Sequence, residues 1–183
     1  LPKVAVLDRV VDEIHEVKTF YWHFEDPEEQ RKFRQFRPGQ FAQVSLFGVG
    51  ELPLSLPPSP TEAETFFTAR QVGSCTAALH TLKPGDTFAV RGPYGNGFPM
   101  ESYYGKNLVF VAGGIGLIPL RSCIVYALAN RERYQRIQIF LGARTDQAAN
   151  RFVRWKRLAA ALAVMGAVAL LGAAPDIAYR WHV

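Results

Sequence analysis

The sequence predicts two architectures in series: a small six-stranded antiparallel β-barrel over residues 1–98, then a truncated parallel βαβ unit over residues 99–147. An Ala-rich tail follows at 148–183. Three observations lead there. Six short apolar or alternating segments with turn signals between them fill the first part. A continuous apolar run, a glycine turn and an amphipathic helix then give the strand–helix–strand order of a βαβ unit. The 183 residues are 49% hydrophobic and 20% charged, which excludes a disordered, collagenous or coiled-coil chain.

The elements follow in order. Residues 3–10 and 18–24 read as strands; in the second, Phe20, Trp22 and Phe24 alternate with Thr19, Tyr21 and His23, the period of a half-buried strand. Asp26-Pro27-Glu28-Glu29 opens a short charged helix or turn, because acids and proline suit a helix start. Arg37-Pro38-Gly39-Gln40 turns into the strand Phe41–Phe47, which Gly48-Val49-Gly50 breaks before the short apolar Leu52–Leu56. Thr65–Val72 is the next strand, Ser74–Leu82 a short helix, Lys83-Pro84-Gly85-Asp86 a turn and Thr87–Arg91 the sixth strand. Asn107–Ala112 is continuously apolar and suits a parallel strand covered on both faces. After Gly113-Gly114-Ile115-Gly116 comes a helix with Leu117, Leu120, Ile124 and Leu128 on one stripe, then the alternating strand Arg136–Leu141.

Charge and cysteines narrow the function classes. Of the net charge of +5, residues 1–150 contribute +1 (16 basic, 15 acidic) and residues 151–183 contribute +4 (5 basic, 1 acidic). The basicity belongs to the tail, so the folded body lacks the clustered charge of a nucleic-acid surface. The two cysteines, Cys75 and Cys123, have no ligand-spaced neighbours, which argues against a disulfide framework, a zinc site or a self-contained iron–sulfur site. No metal site is expected. The first 20 residues alternate and carry seven charged groups, unlike a signal peptide. A reducing, cytoplasmic setting is the expectation.

Several motifs can carry chemistry. Gly113, Gly114 and Gly116, with Pro119 in the first helical turn, allow a tight turn and close approach of a phosphate to a helix start. A packing turn is the plain alternative. At the end of the second parallel strand, Gly142, Arg144 and Thr145 occupy the ribose-reading region, where an arginine favours NADP over NAD; a solvated loop explains Arg144 equally simply. Gly73, Ser74, Cys75 and Thr76 open the short helix, either as a pyrophosphate cradle or as an N-cap by Ser74, and the residues alone favour the cap. Cys75 lacks a partner base, and His15, His23 and His80 read as surface or packing residues. Arg91 and the loop Gly92-Pro93-Tyr94-Gly95-Asn96-Gly97 read as a glycine-rich connection or a linker.

Taken together, this order resembles the ferredoxin–NADP reductase superfamily. Within it, the nearest resemblance is to the gamma subunits of cytoplasmic sulfhydrogenases, the flavin-type subunit of anaerobic sulfite reductase and the electron-transfer subunit of dihydroorotate dehydrogenase. The match is carried by Phe36-Arg37-Pro38-Gly39-Gln40-Phe41, Gly50–Ser55, Val72–Leu79, Leu82–Asp86, Arg91–Phe98, Val111–Gly116 and Gly142–Thr145. The resemblance implies FAD on the barrel, contacted by Leu52, Pro53, Leu54 and Ser55, by Thr68, Ala69 and Arg70, and by Gly73, Ser74, Cys75 and Thr76. Ser55 would sit at the flavin ring as the catalytic contact, and Leu54 would replace the aromatic residue that covers it. Leu52 stands where many members carry an arginine, so the pyrophosphate would depend on the Gly73–Thr76 helix start, helped by Arg70. The implied reaction takes a hydride from NAD(P)H to FAD and releases single electrons to an iron–sulfur or hydrogenase-type partner subunit.

The pattern stops after Thr145. The family's further βα units and its [2Fe–2S] cysteines have no counterpart in this sequence. In their place Arg151–Arg157 precedes Leu158–Ala174, 17 residues without charge, and 9 of the last 33 residues are alanine. Three readings of the tail stay open: an out-of-frame or truncated reductase, a membrane-seeking helix, and a soluble packing helix. The alternatives to an electron-transfer flavoenzyme are accordingly an inactive flavin-binding remnant and a membrane-anchored interaction subunit. A remnant of two parallel strands would also leave a bare sheet edge.

Overall fold

The computed structural model describes residues 1–143, 168–171 and 177–182. The chain divides into two compact units, Leu1–Phe98 and Pro99–Val183.

The first unit is a six-stranded antiparallel sheet with two short helices, α1 (Pro27–Phe33) and α2 (Ser74–Thr81). Its strands are β1 (Lys3–Ile14), β2 (Val17–Phe24), β3 (Phe41–Leu46), β4 (Gly50–Ser55), β5 (Thr65–Arg70) and β6 (Thr87–Tyr94), in the order β4-β3-β6-β1-β2-β5. Alternation on β2 is realised: Phe20, Trp22 and Phe24 are buried, and Trp22 makes ring contacts with Phe24, Phe33, Phe67 and Phe88. These rings, with Leu7, Val44, Leu52, Leu54, Leu56 and Leu79, form the core. Edge-to-face and stacked pairs of this kind add about 0.5–1.5 kcal/mol each beyond area burial.

Helix α1 starts where the sequence places it. The Asp26 carboxylate accepts from the Glu28 N–H at 2.8 Å, Glu28 and Glu29 occupy the first turn, and Arg31 and Lys32 the last, complementing the helix dipole. The turn after it is locked to the glycine loop following β6. Gly39 has φ +85°, and a Cβ there would lie 2.3 Å from the Phe98 ring. Phe98 donates its N–H to Pro38 O at 2.7 Å, and Gln40 Nε2 donates to Gly95 O at 2.6 Å. The loop read as a linker is therefore a clamped part of the first unit.

The second unit contains β7 (Leu108–Gly113), a turn at Gly114–Gly116, α3 (Leu117–Ala129) and β8 (Ile137–Ala143), with β7 and β8 parallel and Gly113 beside Gly142. It differs from the sequence expectation in two ways. Helix α3 is buried on more than one stripe, including Ile118, Arg121, Ser122 and Val125 as well as Leu117 and Ile124. Strand β7 is covered on one face only, since Val109 and Val111 are exposed.

The tail contributes strands. β9 (Val168–Leu171) and β10 (Ile177–His182) extend the sheet to the order β7-β8-β10-β9, with β10 antiparallel to β8 and β9 antiparallel to β10. The expected bare edge on β8 is thus paired. The apolar run Leu158–Ala174 includes β9, so those four residues are strand rather than helix, and the rest of that run lies outside the described residues. Among the described residues no helix is long and apolar enough to cross a membrane.

Candidate functional site

Strand alternation decides which residues of β4 face outward. Leu52 and Leu54 pair with the buried Val44 and Ala42 and point into the core. Pro53 and Ser55 take the opposite face. A ring lying on this strand therefore meets Pro53 and Ser55, and Leu52 and Leu54 offer it only backbone, which shifts the covering role expected of Leu54. The Ser55 hydroxyl is half-buried and makes no hydrogen bond to another described residue. Beside it, Phe41 pairs with Ser55 on one side and with Tyr94 on the other, and the Phe41 and Tyr94 rings lie 5.9 Å apart, both partly exposed.

At the other end of β4 stands α2, with Cys75 Sγ 3.1 Å from where a Gly50 Cβ would be. The N-cap is Gly73, not Ser74. Thr76 Oγ1 accepts from the N–H groups of Val72 and Gly73, both at 2.9 Å, and donates to Gly73 O at 3.0 Å, so the loop entering the helix is held by one hydroxyl. The N–H groups of Ser74, Cys75 and Thr76 belong to the first turn and have no helical acceptor. Gly73 has φ −162°, extended backbone open to any residue, and a Cβ there would meet nothing within 4 Å. Neither strain nor packing requires this glycine. The missing side chain leaves the first-turn N–H groups of α2 uncovered.

The remaining expected flavin contacts are engaged elsewhere. Thr68 Oγ1 is buried and hydrogen-bonded to Thr19 Oγ1 at 2.9 Å, and Thr19 donates in turn to Glu13 at 2.7 Å. Ala69 is in the core, and its carbonyl accepts from His80 Nε2 at 3.1 Å. Arg70 is exposed and pairs with Glu16 at 3.2 Å, a surface contact worth about 0–1 kcal/mol and easily exchanged for a phosphate. His80 packs on Phe20, and burial pushes its imidazole below the usual histidine range. Its role is packing, as its place in the sequence suggests.

One polar cluster escaped the sequence. Ser45 Oγ donates to Glu51 at 2.6 Å and Arg91 Nη2 to the same carboxylate at 2.5 Å, and these bonds, the Ser45 hydroxyl first, hold Glu51 below the usual carboxylate range. Arg91 is thus committed to Glu51 rather than free to replace the arginine missing at Leu52. The pair is 40 positions apart and meets only through strand register, which no local spacing reveals.

In the second unit, Gly113 and Gly142 end the two parallel strands side by side. Gly114 has φ +49°, a left-handed conformation in which a side chain would be strained, and a Cβ at Gly113, Gly114 or Gly116 would meet nothing within 4 Å. Pro119 is exposed in the first turn of α3. This is an open helix start at the carboxyl ends of parallel strands, the place where such sheets bind dinucleotides. Arg144 and Thr145 lie outside the described residues. Among the described residues no cluster of potential metal ligands occurs, and both cysteines are free.

An antiparallel barrel with an open helix start, followed by a βαβ unit with a glycine turn, defines a flavin-reductase type of fold. No family model matches the sequence, but individual proteins do. Sulfhydrogenase 1 subunit gamma of Pyrococcus furiosus is 47% identical over 128 residues, 69% of this chain and 44% of that protein. A probable dihydroorotate dehydrogenase B (NAD(+)) electron transfer subunit of Methanothermobacter thermautotrophicus is 36% identical over 148 residues, 79% of this chain and 50% of that protein. Among solved structures, an NADH-dependent reduced ferredoxin–NADP oxidoreductase is 32% identical, covers 78% of this chain and 49% of that one, and superposes with a TM-score of 0.63. The ferredoxin–NADP reductase of Neisseria gonorrhoeae with bound FAD and NADP shares the fold at 21% identity, with a TM-score of 0.70 over 87% of this chain and 63% of that one. The chain belongs to the ferredoxin–NADP reductase superfamily, on the side of the sulfhydrogenase gamma and dihydroorotate dehydrogenase electron-transfer subunits. It spans about half the length of the curated relatives it matches.

Proposed function

We propose that this chain is the flavin-binding, NAD(P)H-linked part of an electron-transfer subunit that works with a redox partner subunit carrying an iron–sulfur centre. The observation that carries the reading is the start of α2: three first-turn N–H groups and an unhindered Gly73 beside the outward face of β4. From Gly50 to Ser55 the strand runs about 16 Å, at about 3.3 Å per residue. An extended dinucleotide can therefore place its phosphates at the helix start and its ring system toward Ser55.

Bound there, FAD would supply hydride acceptance and one-electron release. The protein's own groups do the rest. Ser74, Cys75 and Thr76 donate backbone N–H groups to the pyrophosphate, and Thr76 fixes the loop that presents them. Arg70, released from Glu16, adds a counter-charge. Ser55 offers a hydroxyl to a ring edge, and Pro53 a flat apolar surface. Gly113, Gly114 and Gly116 receive the phosphates of NAD(P)H, with Gly142 alongside and Arg144 and Thr145 as the expected ribose contacts. Free cysteines agree with a reducing, cytoplasmic setting.

The test is the purified protein itself. It should be yellow, release FAD rather than FMN on denaturation, and reduce a dye acceptor with NADH or NADPH. Colourless protein that takes up no FAD on titration would refute the reading.

A further inference from the structure

The outward face of β4, β3 and β6 is laid out in cross-strand rows. Nearest α2 stand Glu51 and Ser45, the middle row is Pro53, Gln43 and Arg91, and the last is Ser55, Phe41 and Tyr94. Ser45 and Arg91 both donate to the Glu51 carboxylate, so the α2 end of this face is charged and hydrogen-bonded. At the Ser55 end it is aromatic. The surface is therefore graded in polarity along the length of β4.

The aromatic end is held in place. Phe41 and Tyr94 are both partly exposed, with ring centroids 5.9 Å apart. Gly95, at φ +83°, closes against the other side of the contact: a Cβ there would lie 3.4 Å from Phe41 Cε1 and 3.5 Å from Cδ1. Gln40 Nε2 ties the same loop down through its bond to Gly95 O at 2.6 Å. The Phe41 ring is thus backed by Tyr94 and Gly95 while part of it stays open to solvent. Single exposed apolar side chains are ordinary, and a cross-strand aromatic pair supports a sheet wherever it occurs. This pair, however, lies in register with the half-buried Ser55 hydroxyl, at the end of the face farthest from the open helix start of α2.

A flavin nucleotide is graded in the same way, from phosphate through the hydroxyls of its polyol chain to a flat, fused ring system. With the phosphates at the start of α2, the polyol crosses the polar rows and the ring reaches the aromatic one. Neighbouring strands lie about 4.8 Å apart, so three fused rings laid against Ser55 also meet Phe41. We propose that Phe41, backed by Tyr94 and Gly95, is an aromatic contact of the flavin ring, and that this row fixes where the ring lies. Offset-stacked and edge-to-face aromatic contacts of this kind favour one placement of a flat ligand over its alternatives. This inference rests on the flavin reading above and adds to it a contact on β3.

The test titrates the full chain and its variants with FAD by calorimetry, then measures how strongly FMN and ADP displace the bound FAD. Phe41→Leu removes the aromatic ring and keeps an apolar side chain at a partly exposed position. It should weaken FAD and FMN about tenfold, the size of one lost aromatic contact, and leave ADP unchanged. Phe41→Tyr should bind all three like wild type. So should Phe47→Leu, an exposed position just past the far end of β3 and about 20 Å along the chain from Phe41. Unchanged FAD and FMN binding by Phe41→Leu overturns the assignment. An equal loss of all three ligands overturns it too, as the mark of a merely structural residue, and so does a loss of ADP alone, which would give the row to the adenine. A loss of FAD and FMN in Phe47→Leu would put the ring at the α2 end and also overturns it. Wild-type chain that takes up no FAD overturns the flavin reading itself, whereas FAD uptake indifferent to Phe41 overturns the ring contact alone.

Discussion

Replacing Gly73 with aspartate separates folding from ligand binding at the same residue. The backbone there is extended, φ −162°, and a Cβ meets nothing within 4 Å, so the folded chain accommodates the new side chain without strain. Aspartate is also among the best N-cap residues, and its carboxylate favours the positive end of α2. Stability should therefore hold or rise, by a few tenths of a kcal/mol from the cap and up to about 1 kcal/mol with the dipole. The phosphate site should be lost. A carboxylate about 5 Å from a phosphate charge costs about 3 kcal/mol at an effective dielectric of about 20, more than a hundredfold in affinity. Thermal melting gives the first number, and fluorescence titration with FAD the second. A Gly73→Asp protein that melts at or above the wild-type temperature and no longer binds FAD is the expected outcome. One that binds FAD as tightly as wild type would show that the phosphates are held away from α2.

Other consequences are independent of that site. Gly114→Ala forces a side chain into a left-handed conformation, φ +49°, so it should cost about 1–2 kcal/mol locally and weaken NAD(P)H binding while FAD content is unchanged; parallel titrations with both nucleotides check this. Burial lowers the His80 pKa below its usual 6.5, so the unfolded chain binds the extra proton more readily and stability is present above pH 6.5 and lost as pH falls through the folded value. Melting curves of wild type and His80→Gln should diverge on acidification, the variant keeping the flatter profile. Burial pushes the Cys123 thiol up to about 11, whereas Cys75 is half-exposed, so iodoacetamide should label Cys75 in the native protein and Cys123 only after denaturation.

Where local pattern and tertiary context agree, the sequence was readable. The six strands, the Asp26-capped α1, the turn before β3 and the Gly113–Gly116 turn all follow from alternation, capping residues and glycine placement. What failed to show depends on register or on covering. Which side of β4 faces out is set by its pairing with Ala42 and Val44, so Leu54 looked available and is not. The commitment of Thr68 to Thr19 and of Arg91 to Glu51 joins residues 49 and 40 positions apart. The strands β9 and β10 lie in the Ala-rich tail, where the pairing of β10 with β8 and of β9 with β10 defines them.

The proposed reaction uses both nucleotide sites, and anaerobic rapid mixing shows whether it takes place. Protein loaded with FAD is mixed with NADH or with NADPH, and the visible flavin absorbance is followed against nucleotide concentration. At least one of the two should bleach the flavin, and Gly114→Ala should slow the bleaching without releasing FAD. Flavin that is bound and reducible by dithionite, yet untouched by either nucleotide, would contradict it.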